Sequence, residues 1–481
     1  MKPLSLISLL WLLAGCSANR AAIDADAFAP KDSGSLWSAE RPTPSRPASS
    51  FSKAEVPTGP LSLATIVDVA LQNNPQTRLT WAKARVAAAQ YGQSQSTQFP
   101  DLSATYDYER IRTITTTSVV GSLGTEVEST AQKFYYSQWG PQLHLTYTLL
   151  DFGQRQAQVS AAKQALIFAD YTHNREIQTV LNQVSQDYYN LIYERDLLQA
   201  VEENLITAET TFAAAKLELD SGTKSLSDLL EAESRLLQAK ISLFNQRQKL
   251  LESQATLSTH MGVSAHEKIE IEETPTVPPV NEMLQSADQL LTLALQKRSD
   301  LLAAEAQVHQ AEENILYAKR QFFPTLGYSL AFGETSYSKT GSDHYDFTSA
   351  FTLSVPIFSG FSLVNNLRSA KAKKAAAEAR LREAELQVIQ EITVSHANVK
   401  TAFDTLSCAD DLLKASERQY DVAIARYRAG TGNILEVVSA QSNLADARAR
   451  QVGATSGWLS ALIDLSYAVG TLSPPVQKRA V

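Results

Sequence analysis

Cysteine is almost missing from this 481-residue chain: Cys16 and Cys408 are the only two, too few for a disulfide framework. Methionine occurs three times, Met1 and an isolated Met261 among them, which excludes a soft-metal relay. The seven histidines are scattered, and none forms a His-x-x-x-His pair carrying the zinc-protease glutamate. No metal or other cofactor is expected. Beyond the N-terminal segment no hydrophobic run reaches about 18 residues, so a transmembrane helix is excluded and any role across a bilayer would have to use strands. Long runs of one charge sign are missing too. The formal net charge of -8 is spread along the chain, and no basic stripe or aromatic-basic platform points to nucleic acid. Gly222-Thr223-Lys224-Ser225 is no phosphate loop, because Gly and Lys are not adjacent and no strand precedes it. With no catalytic constellation, the chain does not read as an enzyme.

What is present begins at the N-terminus. Lys2 precedes a short apolar run from Leu4 to Leu13, which is too short to span a bilayer and reads as a secretory signal over 1–15. Leu13-Ala14-Gly15-Cys16 resembles a bacterial lipobox, in which the signal is cut before the cysteine and the thiol is diacylated. Cys16 is the expected lipidation site. Ser17 follows it rather than the aspartate that retains lipoproteins at the inner membrane, which places the mature chain at the outer membrane. Residues 16–60 are rich in Ala, Ser and Pro and read as an extended tether. Cys408 lies in a helical pattern and is expected to be a small helix-packing residue.

The rest of the chain is one pattern written twice. Arg426-Tyr427-Arg428-Ala429-Gly430-Thr431-Gly432-Asn433 reads as a reversal between two helices, with cations in the last turn and Gly430 free to take positive φ just past the end. Thr431 or Asn433 can cap the next helix, and Glu436 stands three residues after Asn433 in a capping-box spacing. Gly222-Thr223 matches Gly430-Thr431, Leu226 matches Ile434 and Asp228 matches Glu436, at an offset of about 208 residues. Near the repeat starts Phe99-Pro100 matches Phe323-Pro324 at about 224. The first repeat takes 61–263, the second 287–470, with a proline-rich crossing over 264–286 and a polar tail over 471–481. Within the crossing, Ile269 to Pro275 reads as a short strand.

After each Phe-Pro the periodicity changes to two. Leu102, Ala104, Tyr106 and Tyr108 alternate with polar residues, as do Leu143, Leu145, Tyr147 and Leu149 on the way back. In the second repeat one face carries Leu326, Tyr328, Leu330 and Phe332, another Phe347, Phe351, Leu353 and Val355. The spacing predicts strands of about ten residues, in pairs over 99–150 and 323–357, with one face toward lipid and a long loop near Thr115 to Thr130. A soluble half-buried sheet gives the same alternation; the aromatic content and the signal favour a membrane. Tyr106, Tyr147, Tyr328 and Phe351 are expected to face lipid, and Asp107, Glu109 and His144 the lumen.

Gln154 to Asp220 and Ser362 to Arg428 then read as helices of roughly 100 Å each. Ile177, Val184, Leu191, Leu198, Leu205, Phe212 and Leu219 recur every seven residues in the first. The returning helix has Leu229, Leu236, Leu243, Leu250 and Leu257, with Leu230, Leu237, Phe244 and Leu251 beside them. Sustained seven-residue repeats impose coiled-coil packing, and two adjacent apolar positions per heptad give each helix neighbours on two sides, as in a tube wall.

These residues resemble one family. Two copies of helix, strand pair, very long helix, Gly-Thr reversal and returning helix behind a lipobox are similar to the outer membrane factors, the TolC-like channels of efflux pumps and type I secretion, and to their lipoprotein subset. Leu149-Leu150-Asp151-Phe152-Gly153 and Tyr427-Arg428-Ala429-Gly430-Thr431 carry the resemblance most strongly, and it covers about Leu61 to Gly470. It implies an α+β membrane protein: a homotrimeric twelve-stranded barrel, four strands per chain, continued by a helical coiled-coil tunnel across the periplasm. It also implies a closed tip that docks on a periplasmic adaptor (membrane fusion) protein and an inner-membrane pump. By residue match Glu436 takes an aspartate-ring position and Tyr427 a network position, with Asp228 as the first-repeat counterpart of Glu436; Ser439 departs from a second aspartate common in the family. Gly222, Thr223, Gly430 and Thr431 are the expected adaptor-docking residues. The alternative is a lipid-anchored coiled-coil structural or adhesion protein without a pore, and for Asp228 and Glu436 simple compensation of the helix dipole.

Overall fold

The computed structural model describes residues 59–120, 127–222, 225–265, 269–272, 286–338 and 343–472. Cys16 and the signal, the tether up to residue 58, Thr223 and the tail from 473 lie outside the described residues.

The first repeat opens with α1 (Leu63–Asn73) and α2 (Pro75–Ser96). Ser62 caps α1, and Pro75, lacking an N–H, breaks the pair where Asn74 turns extended and accepts a 2.7 Å bond from the Gln76 N–H. Strands β1 (Asp101–Val120) and β2 (Val127–Leu150) follow, then α3 (Gln154–Asp220) and α4 (Leu226–His260). The second repeat has α5 (Ala287–Lys297), α6 (Ser299–Arg320), β3 (Thr325–Tyr337), β4 (Asp343–Ser354), α7 (Ser362–Arg428) and α8 (Ile434–Val469). Both long helices have 67 residues.

The strands form one antiparallel sheet in the order β1-β2-β3-β4, leaving β1 and β4 as free edges within the chain. Register fixes the faces. Leu102 opposes Leu145, Leu145 opposes Leu330, Leu143 opposes Phe332, and Tyr147 opposes Tyr328, which opposes Phe351. Paired residues share a face, so these form one continuous apolar surface. The Tyr328 and Phe351 rings lie 4.9 Å apart on it. Asp107 opposite Gly140, Glu109 opposite Gln138 and His144 opposite Ser103 and Ala331 fall on the other face.

Four sequence expectations need correction. The first two strands have 20 and 24 residues, not about ten, and the ladder runs through Thr115–Gln132 to Val120–Val127, where a loop was expected. Val355 lies just past the end of β4. Around Ile269 there is no strand among the described residues, only a parallel bridge from Leu61 to Ile271. Cys408 sits on α7 but is exposed within the single chain.

Strand passes to helix through strained backbone. Phe152 has φ 50 and Phe361 φ 64, the only non-glycine residues with positive φ among those described. Arg155 steadies the first passage through Asp151 at 2.9 Å, and Arg320 donates to the Gly153 carbonyl at 2.6 Å.

The main core lies at the waist of the helical body. Ile66 and Ala70 of α1, Val184 and Leu191 of α3, Leu257 of α4, Met261 just past it and Trp458 of α8 are among its fully buried members. Each repeat closes there in the same way. The returning helix is followed by a left-handed glycine seated on the break between the repeat's first two helices. A Cβ on Gly262 (φ 74) would stand 2.5 Å from the Asn73 carbonyl oxygen, and one on Gly470 (φ 78) 3.0 Å from Cγ of Arg298. The second break has no proline. Arg298 makes it, buried and extended (φ -69, ψ 122), bonded to Asp300, to Glu391 at 2.6 Å and to the Ala468 carbonyl at 2.9 Å. Burial works against both charges, but Arg298 and Arg175 outweigh it at Asp300 and hold that carboxyl below its ordinary value, while Asp300 and Glu391 hold Arg298 above its own.

The sheet faces yield a direct test. An arginine at Leu145 or Leu330, near the middle of the apolar face, is expected to cost about 2–4 kcal/mol of barrel stability, whereas one at Thr146 or Ser329 folds normally. Urea unfolding in lipid vesicles measures it, and equal tolerance on both faces would mean that the apolar face meets no lipid.

Candidate functional site

The helix reversals opposite the sheet carry the residues singled out by sequence. At the second, the α7 helix ends as Gly430 takes φ 73 and donates to the Tyr427 carbonyl at 3.0 Å. The Arg426 carbonyl accepts from the N–H groups of Thr431 and Gly432, both at 3.0 Å, and from the Thr431 hydroxyl at 3.2 Å. Asn433, not Thr431, caps α8, its side chain accepting from the Leu435 N–H at 3.1 Å. The first reversal is similar: Gly222 has φ 76, and Ser225 caps α4, accepting from the Asp228 N–H at 3.4 Å and donating to the Asp228 carboxylate at 2.9 Å.

Beneath the second reversal lies a small core of its own. Tyr427 is fully buried with Ile424, Ile434, Val437 and Val438 around it. Burial, with smaller contributions from the Asp228 and Glu218 carboxylates, pushes the Tyr427 phenol above its ordinary pKa. The structure therefore brings Tyr427 of one hairpin into the field of Asp228 of the other.

Glu436 sits elsewhere. Its carboxylate pairs with Arg426 at 3.4 Å across its own hairpin, both side chains about half exposed. Glu436 and Ser439 line an open groove of about 580 Å³ between α7 and α8, floored by Ala423 and Ala440 and flanked by the exposed Val422 and Leu435. Two functional features escaped the sequence reading. Arg426 was read as compensating the helix dipole, yet it is also the Glu436 partner, since reversal of the chain sets a last-turn residue beside a first-turn one. Gly432 permits the closest approach in the turn: a Cβ there would lie 2.9 Å from the Tyr427 nitrogen. The Gly-Thr-Gly spacing carried that signal. Among the described residues no group of His, Cys, Asp or Glu could hold a metal ion, and no helix is long and apolar enough to cross a membrane.

Against known proteins, residues 66–263 and 290–471 match the model of the outer membrane efflux protein family. The chain belongs to this family. Among curated relatives it is 25% identical over 395 residues to protein CyaE of Bordetella pertussis, covering 82% of this chain and 80% of that one. To the probable efflux pump outer membrane protein TtgC of Pseudomonas putida it is 24% identical over 416 residues, covering 85% and 83%. Its fold matches the Campylobacter jejuni CmeC outer membrane channel with a TM-score of 0.73 at 20% identity, over 85% of each chain.

The architecture is thus that of the outer membrane efflux family: four strands per chain of a trimeric twelve-stranded transmembrane barrel, continued by a helical tunnel and built from two repeats. The protein is an outer membrane channel extending into the periplasm, the exit duct of a tripartite efflux or type I secretion system. This favours the channel over a pore-less scaffold or adhesin, and its relatives are channels rather than enzymes.

The tip geometry predicts a separation of functions. Glu436→Ala removes an exposed charge while the Tyr427 core stays packed, so block by divalent cations from the periplasmic side should weaken without the channel opening. Planar-bilayer recordings with and without magnesium check this; unchanged block, or a channel that opens, would contradict it.

Proposed function

We propose that three copies of this chain close the duct through the outer seam of α4, that the helix reversals dock a periplasmic adaptor protein joined to an inner-membrane pump, and that acylated Cys16 anchors each chain in the outer membrane. The unpartnered seam carries the reading. Leu243 and Leu257 of α4 are buried within the chain, but the adjacent positions Leu230, Leu237, Phe244 and Leu251 are 55%, 52%, 65% and 66% exposed at heptad spacing. A continuous apolar stripe on a water-facing helix needs a second helix against it. A neighbouring copy supplies one, and the same association pairs the free edges of β1 and β4.

At the tip, Tyr427 and Asp228 act as contacts that hold the reversals together, and Glu436 presents a carboxylate around the threefold axis, balanced by Arg426. Gly222, Thr223, Gly430 and Thr431 form the adaptor surface. Backbone exposed at Gly222 and Gly430, where nothing lies within 4 Å of an added Cβ, supports close approach by a partner.

Paired substitution Leu237→Glu with Phe244→Glu should abolish the heat-labile trimer band and single-channel conductance in planar bilayers. Conductance at the normal level from that variant would overturn the assembly. Gly430→Trp should leave trimer and conductance intact but stop export in cells; normal export would mean that the reversal is only a turn. Cys16→Ser should stop palmitate labelling and leave an unprocessed precursor, and normal labelling would remove the anchor.

A further inference from the structure

The β1–β2 hairpin continues beyond the sheet's other strands, and its polarity turns inside out as it does. β2 pairs with β3 no further than Gln138–Tyr337, while β1 and β2 remain paired to Val120–Val127. Below this level the lipid-side face of β2 carries Trp139, Pro141, Leu143, Leu145 and Tyr147 and, past a bulge at Leu149, Leu150 opposite Leu326. On the paired strand, Leu326 to Ser336 opposite Trp139 is about 34 Å, and at a tilt near 45° it stands about 25 Å tall, the height of an outward apolar band. The band ends in a pair of rings: Trp139 opposes Tyr108, their centroids 6.4 Å apart.

The next rows on that face are basic. Arg110 opposes Ser137, Arg112 opposes Tyr135, and Lys133 opposes Ile114. All three cations are exposed, and among the described residues no carboxylate pairs with them; Arg112 lies 5.3 Å over the Tyr135 ring. On the pore side the change runs the other way. Asp101, Asp107 and Glu109 give way to Ile111, which opposes Tyr136, and to Thr113, which opposes Phe134. The described acids on the lipid side lie below this level: Asp343 of β4, opposite Ser336 one row below Arg110, and Glu334 of β3, opposite Tyr345 and two rows below.

A hairpin standing in water gives no reason for cations to collect on the face continuous with the lipid band. A phosphate layer at that height does. Successive rows rise by about 5 Å at this tilt, and the headgroup zone of one leaflet is roughly 5–8 Å deep. Arg110 falls within it, about 5 Å above Trp139, while Arg112 and Lys133 stand about 10 and 15 Å above and meet it only by reaching their long side chains down. We propose that Arg110, Arg112 and Lys133 form a binding surface for the phosphate groups of outer-leaflet glycolipid, which grips the barrel at its outer rim. The surface rests on the barrel described above and continues its lipid-facing band. Arginine suits the role because its planar fork meets phosphate oxygens bidentately.

The test uses the full-length trimer in nanodiscs and one defined probe, a bisphosphorylated glucosamine-disaccharide lipid, against the same lipid after phosphatase treatment. Native mass spectrometry counts retained lipid. The wild-type channel should retain the phosphorylated form about a hundredfold better. Arg110→Gln with Arg112→Gln and Lys133→Gln should lose that preference, and Arg110→Lys with Arg112→Lys should keep part of it. Equal retention of both lipids by the wild type would overturn the proposal without recourse to any variant, as would undiminished preference in the triple variant. Quenching of Trp139 by lipids brominated along the acyl chain, read as the component lost in Trp139→Phe, tests the barrel separately. If Trp139 is quenched while phosphate makes no difference, the rim proposal alone fails; if Trp139 is not quenched, the lipid-facing assignment beneath it fails.

Discussion

Hydrocarbon offers a backbone amide no hydrogen-bond partner, so the N–H and C=O groups on the outer edges of β1 and β4 have to be met by another chain. This requirement governs the rest of the molecule. Four strands cannot close, and eight would make a barrel that its own side chains fill, whereas twelve leave a conduit. Once the strands are spaced around that circle, Gly153 and Phe361 hand each hairpin directly to a 67-residue helix. The helices inherit the spacing, and the seam of Leu237 and Phe244 is left where a neighbour must stand.

The waist and the tip hold by different means. At the waist, each repeat folds its last turn over its own first helix break, through Gly262 on Asn73 and Gly470 on Arg298. The first break uses proline and amide chemistry, the second a buried guanidinium that also ties α7 through Glu391 and the end of α8 through Ala468. Removing that guanidinium would leave Glu391 without its cation and Asp300 with Arg175 alone, so the waist is built to stay. The tip has one small core around Tyr427 and exposed charge at Arg426 and Glu436. Little apolar area is buried there, which leaves this end less firmly held than the waist.

Much of this was legible from residue order. The long helices could be read to the residue because no proline interrupts 154–220 or 362–428 and a glycine pattern follows each. Strand faces were legible wherever one side met lipid and the other water, as from Leu102 to Tyr108. Above Tyr108 that rule breaks: Arg110 and Arg112 occupy the outer side and Ile111 the inner, so a two-residue pattern keyed to hydrocarbon reads as loop although the ladder continues. The break at Arg298 was hidden for another reason. Its cause is long-range, an ion cluster with Glu391, and no local residue announces it. At the tip, proximity across a reversal pairs Arg426 with Glu436, and spacing along one helix does not reveal it. Exposure of Cys408 likewise depends on which helices pack on α7.

The equal length of α3 and α7 has a genealogical consequence. Both reversals must end at one level for a common tip, so neither helix is free to change length alone. An insertion in one copy of the ancestral duplication would drop its hairpin below its neighbours and misalign every heptad beyond it. Drift in tunnel length is therefore possible only as coupled events, in both halves of the gene and in steps close to a whole heptad. The strand hairpins carry no such tie, which is why the two halves have diverged at the barrel's outer rim while their helices have kept one measure.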